Sequence, residues 1–177
     1  MGRQATDDWM SMDDLELAVL LLNSVDLLED PADRMAHDLR WWRRALRRNG
    51  HAALARTQRE ADRRGLLELR AIIRSVFETS SEARARTLLN DGLASAGAVV
   101  QVTPAGLGVG GGLAARLLYA VAQLVAEGGV ARLGICASDP CRCAYVDRTR
   151  GGTRRYCCTL CNDRAAARAY RQRKGQS

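Results

Sequence analysis

The sequence predicts a mainly α protein with a small β-hairpin (α+β), in two parts: a helical body over residues 1–130 and a compact cysteine-built module over residues 131–177. Three observations predict it. Apolar residues recur at three- and four-residue spacing through most of the first 130 positions. All six cysteines fall between Cys136 and Cys161. The charge is also divided: residues 131–177 hold 11 basic and three acidic residues, net +8, whereas residues 1–130 hold 16 basic and 17 acidic ones, net −1.

The chain is 177 residues long and 47% hydrophobic, enough for one core plus a small appendage. Only 5% of residues are aromatic, with a single Phe, so the core is expected to be mainly Leu, Ala and Val. The longest apolar run, near Ala18 to Leu22, is far too short to cross a bilayer, and the acidic N-terminus is unlike a secretory leader. A soluble, cytoplasmic protein with no membrane partner is the expectation.

Asp13 with Glu16 is a capping-box pattern, and Leu15, Val19, Leu22 and Val25 follow at helical spacing. Pro31 can open a second helix that turns Met35, Leu39, Trp42 and Leu46 inward and ends near Asn49 and Gly50. Trp41–Trp42 and the arginines around them could form a second binding surface, but Trp42 is expected in the core and the arginines on a solvated face. Thr57 with Glu60 forms a second capping box ahead of a helix striped by Leu66, Leu69, Ile73, Val76 and Phe77. A further helix, from about Ser81 to Ala96, contributes Leu88, Leu89 and Leu93. Ala98 to Thr103 is rich in β-formers, Pro104-Ala105-Gly106 reads as a turn, and Leu107 to Val109 returns. Leu113 to Ala126 is a strongly apolar helix, expected to be the most buried, and Val130 to Ile135 is a connector. Gly106, Gly108 and Gly111 formally fit a dinucleotide fingerprint but lack the βαβ context, so a glycine-rich turn explains them better. His37 and His51, the only histidines, form no catalytic pairing with Ser or Cys.

In the tail, Cys136 and Cys141 are separated by four residues and Cys157 and Cys161 by three. Clustered cysteines in a reducing compartment read as a metal site rather than a disulfide framework. Tetrahedral zinc takes four soft ligands at about 2.3 Å, and thiolate pairs on tight turns supply them. Ala144 to Asp147 can pair with Arg154 to Tyr156 around a Thr149–Thr153 turn, and the second cysteine pair opens onto an Ala/Arg-rich helix. Knuckle, hairpin and ligand-bearing helix together make a treble-clef zinc finger. Cys143 and Cys158 are left over, as packing residues or as supports of the ligands; the alternative is a ligand set that swaps one of them in. A closed four-thiolate site without His implies one structural zinc and no catalysis at the metal. The chain is expected not to be an enzyme, the alternative being an active site in the helical body.

From Asn162 the helix places Arg164, Arg168 and Arg171 on one face. Arg148, Arg150, Arg154 and Arg155 lie on the hairpin turn and the strand leading to the site. This basic surface suits a polyanion, DNA above all, since Arg clamps phosphate and reads guanine. The plainer reading is a protein-interaction module whose arginines serve solubility. Tyr170 could stack on a base, but is expected to pack on the hairpin.

These residues resemble a known family. The C-x4-C knuckle, the stretch YVDRTRGGTRRYC and the helix CNDRAAARAYRQR are similar to the CGNR zinc finger, with Cys161 and Arg164 in place. Asn162-Asp163 replaces its Gly-Asn, Tyr156 replaces the commoner Trp, and the second cysteine pair is one residue tighter. Leu22-Asn23-Ser24 and Leu89-Asn90 resemble the ABATE domain that precedes this finger in bacterial stress-induced transcription regulators. The resemblance implies zinc-dependent DNA binding and regulation, with the helical body sensing a small-molecule effector or forming a homodimer. Asn23 and Asn90 are its polar candidates for a pocket, although helix-capping or buried-amide roles suit both.

Overall fold

In the computed structural model the described residues are 9–104 and 106–174, with side chains from residue 14 onward. Helix α1 spans Trp9–Leu22 and so begins before Asp13; the Asp13 side chain of the expected capping box lies outside the described residues. Leu15, Leu17, Ala18, Leu21 and Leu22 are buried. Beyond the helix, Val25 bridges Asp33 in an isolated antiparallel contact.

The second helix departs from expectation. It does not open at Pro31; α2 spans Arg40–Arg48. Asp33 accepts the backbone N–H of Met35 at 3.0 Å, and Asp38 that of Arg40 at 2.7 Å. Such turns, closed by an aspartate two residues back, compete with helical hydrogen bonding. Met35 and Leu39 are nonetheless fully buried with Trp42 and Leu46. A short helix α3, Ala52–Thr57, follows. The expected Thr57–Glu60 box is not made: the Thr57 hydroxyl donates back to the Leu54 carbonyl, and Asp62 accepts the N–H of Arg59 instead. Glu60 reaches away to accept the N–H of Leu39 and pair with Arg43 at 3.1 Å.

Helix α4 (Arg63–Glu78) buries the whole expected stripe, from Leu66 to Phe77. Helix α5 (Glu82–Ser95) starts at Ser81, whose hydroxyl accepts the N–H of Arg84. Helix α6 (Leu113–Gly128) buries Ala115, Leu117, Leu118, Ala120, Val121 and Val125. Helices α1, α4, α5 and α6 share one core. Asp14 and Arg116 tie α1 to α6 through two hydrogen bonds, at 2.5 and 3.0 Å. Before α6, strands β1 (Val99–Thr103) and β2 (Gly106–Gly110) pair antiparallel, with Val99 opposite Gly110 and Thr103 opposite Gly106. All of β1 is exposed, Val102 at 88%.

The region after α6 also differs from expectation. Leu133–Ile135 is not a connector but strand β3, and it pairs antiparallel with β4 (Ala144–Val146). Residues 154–156, expected to pair with β4, form no strand. Their backbone groups are taken elsewhere: the N–H of Arg154 goes to the Asp147 carboxylate, and the carbonyl of Arg155 accepts from Ala137. Helix α7, Thr159–Lys174, closes the described chain.

The β3–β4 hairpin is seated on the helical body. Leu133 and Ala144 belong to the same core as α1, α4 and α6. Asn23, at the end of α1, grips the backbone of Ala144 twice: its Nδ2 donates to the carbonyl at 3.0 Å, and its Oδ1 accepts the N–H at 2.7 Å. Arg74 on α4 donates to the carbonyls of Leu22 and Arg142, joining the same three elements. The protein is therefore mainly helical, with two small antiparallel hairpins and a C-terminal cysteine cluster. No helix among the described residues is long and apolar enough to cross a membrane.

Candidate metal centre

Cys136 leaves β3 and Cys141 precedes β4, so the hairpin on the body fixes one side of the site. The N–H of Cys136 donates to the carbonyl of Cys143 at 2.9 Å, which folds the intervening residues into a knuckle. Cys157 lies just before α7 and Cys161 in its first turn. The four sulfurs lie within 4.8 Å of one another. Cys141 and Cys157 are 3.8 Å apart, and Cys157 and Cys161 are 3.6 Å apart. A tetrahedron with its corners about 2.3 Å from a central ion has edges of about 3.8 Å. The four expected ligands are the four that the fold brings together.

The electrostatics call for a cation. Burial, then contact with the other sulfurs, pushes the Cys157 thiol well above its ordinary range. Burial is also the leading reason that Cys161 is pushed up to about 12. Burial opposes ionisation of Cys136 too, but backbone N–H groups of Cys157 and Ser138 outweigh it and lower that thiol. Four thiolates cannot share this volume without a positive charge among them. All-sulfur ligation, tetrahedral spacing and three nearly fully buried donors fit one closed, four-coordinate soft divalent ion.

The two spare cysteines stay outside the set. Cys143 is half-buried and packs against the cluster. Cys158 is exposed, with its sulfur 3.8 Å from that of Cys157. Backbone N–H groups of Cys161, and more weakly of Leu160, act on the Cys158 sulfur and hold its thiol below the ordinary value.

The arginines named from sequence divide into two kinds. Arg154 braces the site: it donates to the carbonyls of Tyr156 and Cys157 and lies 4.8 Å over the Tyr145 ring. Arg164 is half-buried, its Nη1 3.9 Å from the Cys161 sulfur. Arg148 pairs with Glu16 at 3.3 Å and Arg168 with Asp139 at 3.0 Å. Arg155 stacks loosely on Tyr156. The side chains of Arg150 and Arg171 make no ion pair among the described residues. Tyr170 is 58% exposed rather than packed on a hairpin.

Asp147 was not singled out from sequence. Its carboxylate accepts the N–H and hydroxyl of Thr149 at 2.8 and 2.6 Å and the N–H of Arg154 at 2.7 Å. The hydroxyl of Thr149 leads the causes that lower its pKa. A readable signal exists, since Asp followed two residues later by Thr, then Gly-Gly, is a turn signature. Asn23, noted only as a pocket or capping candidate, is the tie between body and finger; its sequence neighbours gave no hint of a partner 121 residues away.

A sulfur tetrahedron shared between a knuckle and the first turn of a helix defines a zinc finger. Residues 132–174 match the CGNR zinc finger family. No curated protein matches the chain.

Proposed function

We propose that the chain is a zinc-dependent DNA-binding protein, a cytoplasmic transcription regulator of bacterial type without catalytic activity. The ion is zinc, held by Cys136, Cys141, Cys157 and Cys161, and its role is to fix α7 against the hairpin. The carrying observation is charge placement: the net +8 of residues 131–177 lies on the finger, beside a body of net −1. Arg164, Arg168 and Arg171 offer one face of α7 to the nucleic acid, with Arg148, Arg150 and Arg155 flanking it. Arg154 contributes by holding the ligand loop. Exposed Tyr170 adds a surface for stacking.

The helical body serves effector sensing or dimerisation. With Asn23 committed to Ala144, the polar candidate left is Asn90. It lines a groove of about 620 Å³ between α5 and α6, with Glu82 and Arg86 above Leu89 and Val125.

Fluorescence anisotropy of the zinc-loaded protein on short duplexes across a salt series tests this reading. If about five phosphates are engaged, log affinity falls against log salt with a slope near −4 to −5. The R164A/R168A double variant is expected to bind at least tenfold more weakly at the same zinc content. Absence of duplex binding at low salt rejects the reading and leaves a zinc-stabilised protein-interaction module.

A further inference from the structure

Between the cysteine knuckle and α7 lies a cleft of about 110 Å³. One water needs roughly 10–15 Å³ on this measure, so the cleft holds several waters or one small polyatomic group, not a base with its sugar. Ser138, Asp139, Arg164, Arg168 and Gln172 line it.

Ser138 is the unusual member. It is 2% exposed, and its hydroxyl is buried with no hydrogen-bond partner. Buried hydroxyls are nearly always paired, so an orphan of this kind points to a missing acceptor. The N–H of the preceding Ala137 donates to the carbonyl of Arg155 at 3.0 Å, so the knuckle around Ser138 is held to the segment that leads into α7. Across the cleft, Arg164 and Arg168 stand one helical turn apart on α7, and Gln172 stands a turn further on. Arg164 is steadied by the Cys161 sulfur. Arg168 is held at the mouth by Asp139, through the carboxylate at 3.0 Å and the backbone carbonyl at 3.4 Å. The lining thus offers a hydroxyl, two guanidinium groups and an amide as donors. Its single carboxylate is 75% exposed and free to swing out.

We propose that this cleft seats one phosphate of a nucleic-acid backbone running along α7. Ser138, Arg164 and Arg168 donate to its oxygens, and Asp139 releases Arg168 as the phosphate enters. The proposal rests on the nucleic-acid reading above and extends it to a residue that is neither a ligand nor an arginine. Donors set around a small volume match a tetrahedral oxyanion, and guanidinium groups pair with phosphate through two parallel bonds. The seat also ties recognition to the metal, because one wall is the loop between Cys136 and Cys141 and the other is the helix that carries Cys161.

The test uses the full-length, zinc-loaded protein and its S138A and D139N variants, binding a short labelled duplex at about 0.1 M salt. S138A is expected to bind roughly five- to tenfold more weakly, the upper part of the net worth of one ordinary hydrogen bond, with Tm unchanged or raised. D139N is expected to bind more tightly, because the carboxylate competing for Arg168 is gone. Wild-type affinity in S138A at unchanged Tm overturns the proposal. If S138A loses stability, D139N decides, and unchanged affinity there overturns it. If the wild type binds no duplex, NMR titration with inorganic phosphate judges the seat alone. Saturable shifts at Ser138 and the Arg164 and Arg168 side chains, absent in S138A, retain it as a free-phosphate site; no shifts remove it.

Discussion

Asp33 shows how a single side chain can hold several parts of this chain. It closes the turn onto Met35 and takes two hydrogen bonds from Arg70 of α4, at 2.8 and 2.6 Å. The Arg70 guanidinium holds its carboxyl below the ordinary range against the opposing effect of burial. The unfolded chain therefore binds a proton more readily than the folded one. The stabilisation is complete above the unfolded value near 3.9 and is lost as pH falls through the lower folded value. Asp33→Asn keeps the turn acceptor and removes the charge. It is expected to cost about 1–2 kcal/mol at neutral pH, between exposed and buried pairs. In urea titrations followed by tryptophan fluorescence, the gap from wild type should close below roughly pH 4. A gap independent of pH would mean that the pair contributes little. Asn23→Ala is a sharper cut. It leaves the N–H and carbonyl of Ala144 without partners, at a cost of about 1–3 kcal/mol in the same measurement.

At the scale of elements, hydrophobic spacing carried most of the information. It placed α4, α5 and α6 and marked Met35, Leu39, Trp42 and Leu46 as core, while β-formers on either side of a turn placed the β1–β2 ribbon. It could not report that Met35 and Leu39 reach the core from an irregular strap. That depends on Asp33 and Asp38 outbidding the helical hydrogen bonds, and a periodicity count does not weigh such competition. The metal ligands were legible for another reason: cysteine pairs at close spacing have few other uses inside cells. The partner of β4 was not legible. Three residues, Leu133–Ile135, carry too little pattern to mark a strand, and Asp147 withdraws the competing segment through a side-chain bond. Two predictions belong here. Ser81→Ala should cost α5 about 1 kcal/mol in denaturant unfolding, the usual worth of an N-cap hydroxyl. Leu118→Ala, deep in α6 and close against Gly92 of α5, should cost about 2–5 kcal/mol. An effect under about 1 kcal/mol at Leu118 would contradict the packing described.

Over the whole molecule, two cores of unlike chemistry are joined at one hairpin. The large core is mainly aliphatic, with Trp42 and Phe77; the small one consists of cysteines and Tyr156. Among the described residues the small core has no apolar side chains of its own beyond these, so it is expected to depend on the ion while the large core does not. A strong chelator is therefore expected to raise amide exchange throughout α7 and the Asp147 loop. Slow exchange should persist at Leu133–Ile135 and Ala144–Val146, whose strands rest on the helical body. Uniform loss of protection across both hairpin strands would show that the ion supports the body as well. The β1–β2 ribbon has a practical consequence of its own. From Gly92 to Ala115 the sequence contains no ionisable side chain, yet Val99, Val100, Val102 and Leu107 are open to water. Attraction through such a patch survives concentrated salt and is strengthened by salting-out ions, whereas anything drawn to the arginine-rich end is shed by brine. Rinsing a surface-captured sample with concentrated salt should accordingly leave behind only what clings by the greasy arm, and Val102→Glu should release that remainder.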